Sequence, residues 1–195
     1  MRQAPSLALA WFCRGNVSWA RGEFANAAAD FGKALALGHG PADAYFRRGH
    51  ASVYEGKLEQ AAEDFGKAAA DTSGDRKYAQ LWQAATLQRL GRALPPELIA
   101  LASADPNGAW PRPALALLAG RMTPEQVLEQ IARKDGDDRE LALAEGWFYI
   151  GQYYLSQSQT ERARDAFENS RAKGITTYIE HVAAGFELQR LAGKP

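Results

Sequence analysis

The chain has 195 residues, 46% hydrophobic and 24% charged, which is enough apolar material for a buried core and too much for a disordered segment. Lys+Arg and Asp+Glu both total 23, so the formal net charge is zero and the basic excess of a nucleic-acid-binding surface is missing. A single cysteine excludes an intramolecular disulfide and a cysteine-based metal cluster, and no apolar run approaches the ~18 residues of a membrane span.

The N-terminal stretch has two incompatible readings. Arg2, the apolar run Leu7 to Phe12 and then Cys13 resemble a lipoprotein signal cut before Cys13. The same letters also suit the first helix of a packed repeat. The apolar run falls short of the ~7–15 residues of a secretory core, and Phe12 replaces the small residue expected before the cut. A spacing further along decides for the helix.

Residues 10–35, AWFCRGNVSWARGEFANAAADFGKAL, align with residues 44–69, AYFRRGHASVYEGKLEQAAEDFGKAA. Gly15 maps to Gly49, Gly22 to Gly56, Ala27 to Ala61, Phe31 to Phe65 and Ala34 to Ala68, always 34 residues apart, with Trp11 and Tyr45 opening the pattern. A glycine inside a helix costs roughly 0.5–1 kcal/mol against alanine, so Gly15 and Gly49 imply the close approach of another helix backbone. Ala27 and Ala61 read as the tight positions facing them, Phe31 and Phe65 as filling the space between hairpins, and Gly22 and Gly56 as helix ends. The period and the aromatic–glycine–alanine–phenylalanine order resemble the tetratricopeptide repeat (TPR) family. The resemblance implies an all-α stack of helical hairpins, with Cys13 as a small packed hydrophobe inside the first.

Further along, residues 78–98 carry the front half of a third unit, with Ala84 in place of the packing glycine and Gly91 as its turn. Pro95 and Pro96 then start a helix rather than continue one. Residues 105–137 read as short helices broken by prolines, with Thr123 and Pro124 as N-cap and first helical residue. A complete copy returns at 146–170, with Trp147, Gly151, Tyr154, Ala163 and Phe167 at the same internal spacing. Ser158 stands there for the turn glycine, Ser170 for the last alanine, and Thr160 is the expected N-cap of its second helix. KDGDDRE at 134–140 reads as a polar loop before a helix. At the end, Thr177 and Glu180 suggest a capping box. There Ile179, Val182, Phe186 and Leu191 suggest an apolar stripe opposite Glu180, Glu187 and Arg190, as in a helix that caps the array. The organisation is thus one TPR-like domain over 1–195. Its repeats run about 8–41, 42–75, a degenerate 77–104 and 144–174, with an irregular insert at 105–137 and a capping helix at 177–193.

Residues 81–191 carry a narrower resemblance. LWQAATLQRLG, WPRPALALLAGRMTPEQVL, EGWFYIGQYYL and GITTYIEHVAAGFEL, in that order, are similar to the C-terminal half of bacterial NlpI-type TPR lipoproteins. That likeness implies a homodimeric adaptor at the outer membrane, facing the periplasm and holding cell-wall hydrolases or a protease. The missing lipidation signal departs from this pattern: either Met1 is not the natural start, or this relative is not anchored. A cytoplasmic TPR module or a structural dimerisation element is the alternative.

For function, no catalytic pattern emerges. His39, His50 and His181 are scattered without ligand spacing, no phosphate-binding glycine loop is present, and neither cofactor nor metal is expected. The family resemblance places the first helix of each pair on a concave face, through Leu9, Phe12, Asn16 and Trp19, then Asp43, Phe46, His50 and Val53, with Tyr54 next. Phe12, Trp19, Phe46 and Tyr54 would supply apolar contact to a protein or peptide partner, while Asn16 and His50 would fix its backbone. The competing reading packs the same aromatics between neighbouring hairpins. The carboxylate clamp of some TPR domains is struck out, since Phe12 stands where its first lysine belongs and only Asn16 matches.

Overall fold

The computed structural model describes residues 5 to 193. Among them are eleven helices and no strand, so the protein is all-α. The chain divides into two compact units, 1–90 and 91–195, at the turn before Gly91.

The first unit holds α1 (Pro5–Ala20), α2 (Phe24–Ala36), α3 (Pro41–Tyr54), α4 (Leu58–Ala70) and α5 (Arg76–Arg89), each packed on the next. The turns between paired helices recur with the sequence period. Gly22 and Gly56 adopt φ of 78° and 82°, a left-handed conformation that glycine reaches without a Cβ penalty. Each turn is closed by the same bond, Glu23 N–H to the Ser18 carbonyl and Lys57 N–H to the Ser52 carbonyl, both 2.9 Å.

Inside each hairpin the packing glycine meets an aromatic ring. A Cβ added at Gly15 would stand 2.7 Å from the Phe31 ring, and one at Gly49 would stand 2.7 Å from the Phe65 ring. The sequence points to a helix backbone as the close neighbour; the structure puts a side chain there instead. Ala27, Ala61, Phe31 and Phe65 are completely buried beside it.

An ion pair repeats on the same register. Arg14 donates to both carboxylate oxygens of Asp30 at 2.6 and 2.7 Å, and Arg48 does the same to Asp64 at 2.7 Å for both bonds. Trp11 lies between Arg14 and Lys33, at 4.2 and 4.1 Å, and Tyr45 lies between Arg48 and Lys67, both at 5.4 Å. The opening aromatic of each repeat is therefore clasped by cations from both helices of its hairpin.

The second unit holds α6 (Pro96–Ala104), α7 (Arg112–Leu118), α8 (Pro124–Ala132), α9 (Gly136–Ser156), α10 (Thr160–Ala172) and α11 (Ile179–Leu191). The α9–α10 hairpin repeats the design. A Cβ at Gly151 would stand 2.5 Å from the Phe167 ring, and Ala163 is completely buried. Ser158 occupies the turn at φ 58°, the one non-glycine residue at positive φ among the described residues, and Gln159 N–H closes the turn onto the Tyr154 carbonyl at 2.9 Å. Ser170 justifies its place by donating to the Ala144 carbonyl at 2.7 Å. Ahead of this hairpin, α7 and α8 build a core of Ala116, Leu117, Val127 and Ile131 against Ile150 and Ala166. Thr123 and Gln126 form a capping box at the start of α8.

Several local expectations are corrected. Thr160 is the first residue of α10, whose N-cap is Gln159 with no side-chain bond. The helix α9 starts at Gly136, so most of KDGDDRE is helical, and Asp137 and Asp138 lie in its first turn, where the helix dipole favours carboxylates. Thr177 and Glu180 make no capping box, because α11 begins at Ile179 with Tyr178 as N-cap. The polarity of α11 is also the reverse of the expected one. Glu180 and Glu187 are 3% and 0% exposed, whereas Ile179, Val182, Phe186 and Leu191 are only half-buried. Glu180 accepts the Tyr149 hydroxyl at 2.9 Å, and Glu187 accepts from Gln152 at 3.1 Å and from Arg190 at 2.9 Å. Gly185 is buried 34 residues after Gly151, but a Cβ there would meet the Arg171 guanidinium of α10 rather than an aromatic ring.

Candidate functional site

In the first unit a cleft of about 290 Å³ opens among α1, α3 and α5, lined by Phe12, Ala42, Asp43, Phe46, Arg47, Gly74, Asp75 and Ala79, together with Ala68 of α4. The residues reach it for simple reasons. Phe12 and Phe46 sit at the same place in consecutive repeats, 34 residues apart. Asp75 is the N-cap of α5 and accepts the Lys77 N–H at 3.2 Å, while Asp43 lies in the first turn of α3.

Phe12 is braced from two sides. Its ring stacks on His39 at 4.1 Å with 22° between planes, and tilts against Phe31 at 5.6 Å. Phe46 is braced by edge contacts to Phe65 at 5.8 Å and to His50 at 4.5 Å. Both residues are half-buried, held by their neighbours and lining the cleft.

Asp43, also expected on this face, lines the cleft as well, and the remaining expected groove residues lie elsewhere. His50 is completely buried, its ring at 4.1 Å from Trp82 and 5.1 Å from Phe65, and neither ring nitrogen has a hydrogen-bond partner. Burial, with a smaller contribution from the positive charge of Arg47, holds its pKa well below the ordinary imidazole value. His50 is a neutral core residue, withdrawn from the surface by the aromatics of the neighbouring helices. Trp19 is 5% exposed, and Tyr54 packs on Phe24 at 5.2 Å and on Trp19 at 6.5 Å, so this pair serves the contact between hairpins. Asn16 is half-buried, and its side-chain oxygen has no partner. Leu9 is exposed and Val53 buried. Of the six, Phe12 and Phe46 come together at the cleft.

Asp75, Ala68 and Ala79 were not singled out in the sequence. The signal for Asp75 was its place before α5, where a short acceptor side chain caps a helix. The alanines carried no signal beyond their small size. Cys13, expected as a packed hydrophobe, is exposed on α1. Among the described residues no group of three or more His, Cys, Asp or Glu is arranged to hold a metal ion, and no helix is long and apolar enough to cross a membrane.

The cleft brings together two aromatic rings, small residues at Ala42, Ala68, Gly74 and Ala79, and the charged side chains of Asp43, Arg47 and Asp75. At about 290 Å³ it lies at the lower end of small-molecule pockets, a size for one or two side chains of a bound segment. Comparison of the chain with protein-family models finds no match, and comparison with curated proteins finds none either.

Proposed function

We propose that this chain is a TPR-type helical-repeat protein acting as a non-catalytic scaffold, and that it seats a peptide segment of a partner protein in the cleft among α1, α3 and α5. The observation that carries this reading is the pairing of Phe12 and Phe46, one from each of two consecutive repeats, on the walls of an open cleft. Aromatic side chains fixed by their neighbours bring large contact area at low conformational cost, the quality shared by interface hot spots. The setting, an adaptor of hydrolases or a protease in a bacterial envelope, rests on the likeness of residues 81–191 to NlpI-type proteins.

Site-specific photocrosslinking tests the reading. A benzophenone amino acid replaces Asp43 at the cleft in one variant and exposed Arg139 in another. Adducts to a discrete partner segment from position 43, absent from position 139, are expected. Equal yields at both positions would contradict the cleft as the binding surface.

A further inference from the structure

The second unit has a smaller cavity of about 190 Å³, lined by Trp110, Pro113, Ile131, Gln130, Arg133 and Lys134, with residues 107–109 completing its rim. The lining holds two cations and no carboxylate, while the Asp105 carboxylate stands against Gly108 at its rim. In a chain with equal numbers of acidic and basic residues, the excess of cations in the lining is a local imbalance. Among the described residues neither Arg133 nor Lys134 has an ion-pair partner. Arg133 donates to the Gln130 side-chain oxygen at 3.4 Å, and Gln130 donates in turn to Asn107 at 2.8 Å. The guanidinium is thus tied by one donor to a neutral amide chain and keeps its other donors for a ligand.

The apolar wall is held firmly. The Trp110 indole N–H is hydrogen-bonded to Glu145, a carboxylate buried on α9. Its polar edge is thereby satisfied inside the unit, and the half-buried residue borders the cavity beside Pro113 and Ile131. The two cations sit at the C-terminal end of α8, where complementing the helix dipole is worth only about 0.3–1 kcal/mol for each exposed charge. That role accounts for two basic residues after a helix but not for their convergence with a tryptophan on one cavity.

We infer that this cavity is a docking site for an acidic peptide segment, in which a glutamate or aspartate side chain meets Arg133 and Lys134 and a neighbouring aliphatic side chain packs on Trp110. Charge complementarity selects a carboxylate, since a guanidinium pairs with it through two parallel hydrogen bonds. The apolar wall selects a ligand that carries hydrocarbon beside the charge, which a free anion lacks. The site is separate from the cleft of the first unit and does not depend on it.

The test is an NMR titration of the full chain with acetyl-Leu-Glu-Leu-amide, with acetyl-Leu-Gln-Leu-amide and with inorganic phosphate. Saturable shifts of the Trp110 indole and of the Gln130, Arg133 and Lys134 amides are expected with the glutamate peptide. Binding should weaken about tenfold or more with the glutamine peptide, with raised salt, and in the doubly substituted Arg133→Gln, Lys134→Gln protein. Both side chains lie away from the core, so circular dichroism should match the parent. Equal binding of the two peptides, shifts that persist in the double variant, or no saturable shift in the millimolar range would overturn the proposal. Tighter binding of phosphate than of the glutamate peptide would also overturn it, showing a simple anion site.

Discussion

Arg48 and Asp64 form a two-bonded ion pair between α3 and α4, and the residues at the same two places in the α9–α10 hairpin are Ile150 and Ala166. Both solutions bury the position: Asp64 is 1% exposed, Ile150 0% and Ala166 1%. One hairpin satisfies the site with charge and the other with hydrocarbon. Arg48→Ile alone leaves the buried Asp64 carboxylate without its partner and should cost about 1–3 kcal/mol or more. Adding Asp64→Ala copies the other hairpin and should restore stability to the wild-type level or above, because buried ion pairs tolerate replacement by matched apolar groups. Urea denaturation of the two single variants and the double variant measures this; a double variant no more stable than Arg48→Ile would refute the equivalence.

Gly49 carries a second packing prediction. A methyl group there would press on the Phe65 ring, which is itself enclosed. Gly49→Ala should therefore destabilise by about 1–3 kcal/mol, although alanine is the better helix former. Combining it with Phe65→Leu should recover part of the loss. A melting temperature for Gly49→Ala at or above wild type would show that the ring yields freely.

How much of this was legible in the sequence depends on the element. The hairpins were, because a period of 34 in glycine, alanine and phenylalanine leaves few other architectures. The ion pairs were present in the same alignment, with Arg14 and Arg48 above Asp30 and Asp64, yet charged residues read by default as solvated. Only three-dimensional packing shows that the carboxylates are enclosed. At the cleft, Phe12 and Phe46 were named from their repeat positions, but the same rule also named His50 and Trp19. Whether such a position faces solvent depends on the neighbouring helix: Trp82 closes over His50.

The last helix gives a prediction opposite to its sequence pattern. Glu187 is completely enclosed between Gln152 and Arg190, while Val182 is half-buried. Glu187→Ala should cost about 1–3 kcal/mol through the stranded Gln152 amide, and Val182→Gln clearly less. Chemical denaturation ranks the two; a larger loss for Val182→Gln would restore the amphipathic reading.

Acid should weaken the first unit through His50. Its folded pKa lies well below 6.5, so the unfolded chain binds a proton that the folded one refuses. Stability is complete above about pH 6.5 and falls as pH drops below it, by at most about 1.4 kcal/mol per pH unit for one proton. In the second unit His181, lowered by burial and then by Arg171, acts in the same direction. His50→Phe should flatten the stability–pH curve between neutrality and pH 5, measured by urea titration at each pH. An unchanged slope would mean that His50 takes up its proton in the folded state.

The central claim, that the cleft among α1, α3 and α5 receives a partner segment, is tested most directly by titrating Phe12→Ala and wild-type protein with the peptide identified by crosslinking. Phe12 lines the cleft and is only half-buried, so its removal should leave the helical circular dichroism intact. The account predicts a loss of about 2 kcal/mol of binding, roughly thirtyfold in Kd by calorimetry. Affinity equal to wild type in a folded Phe12→Ala protein would contradict it.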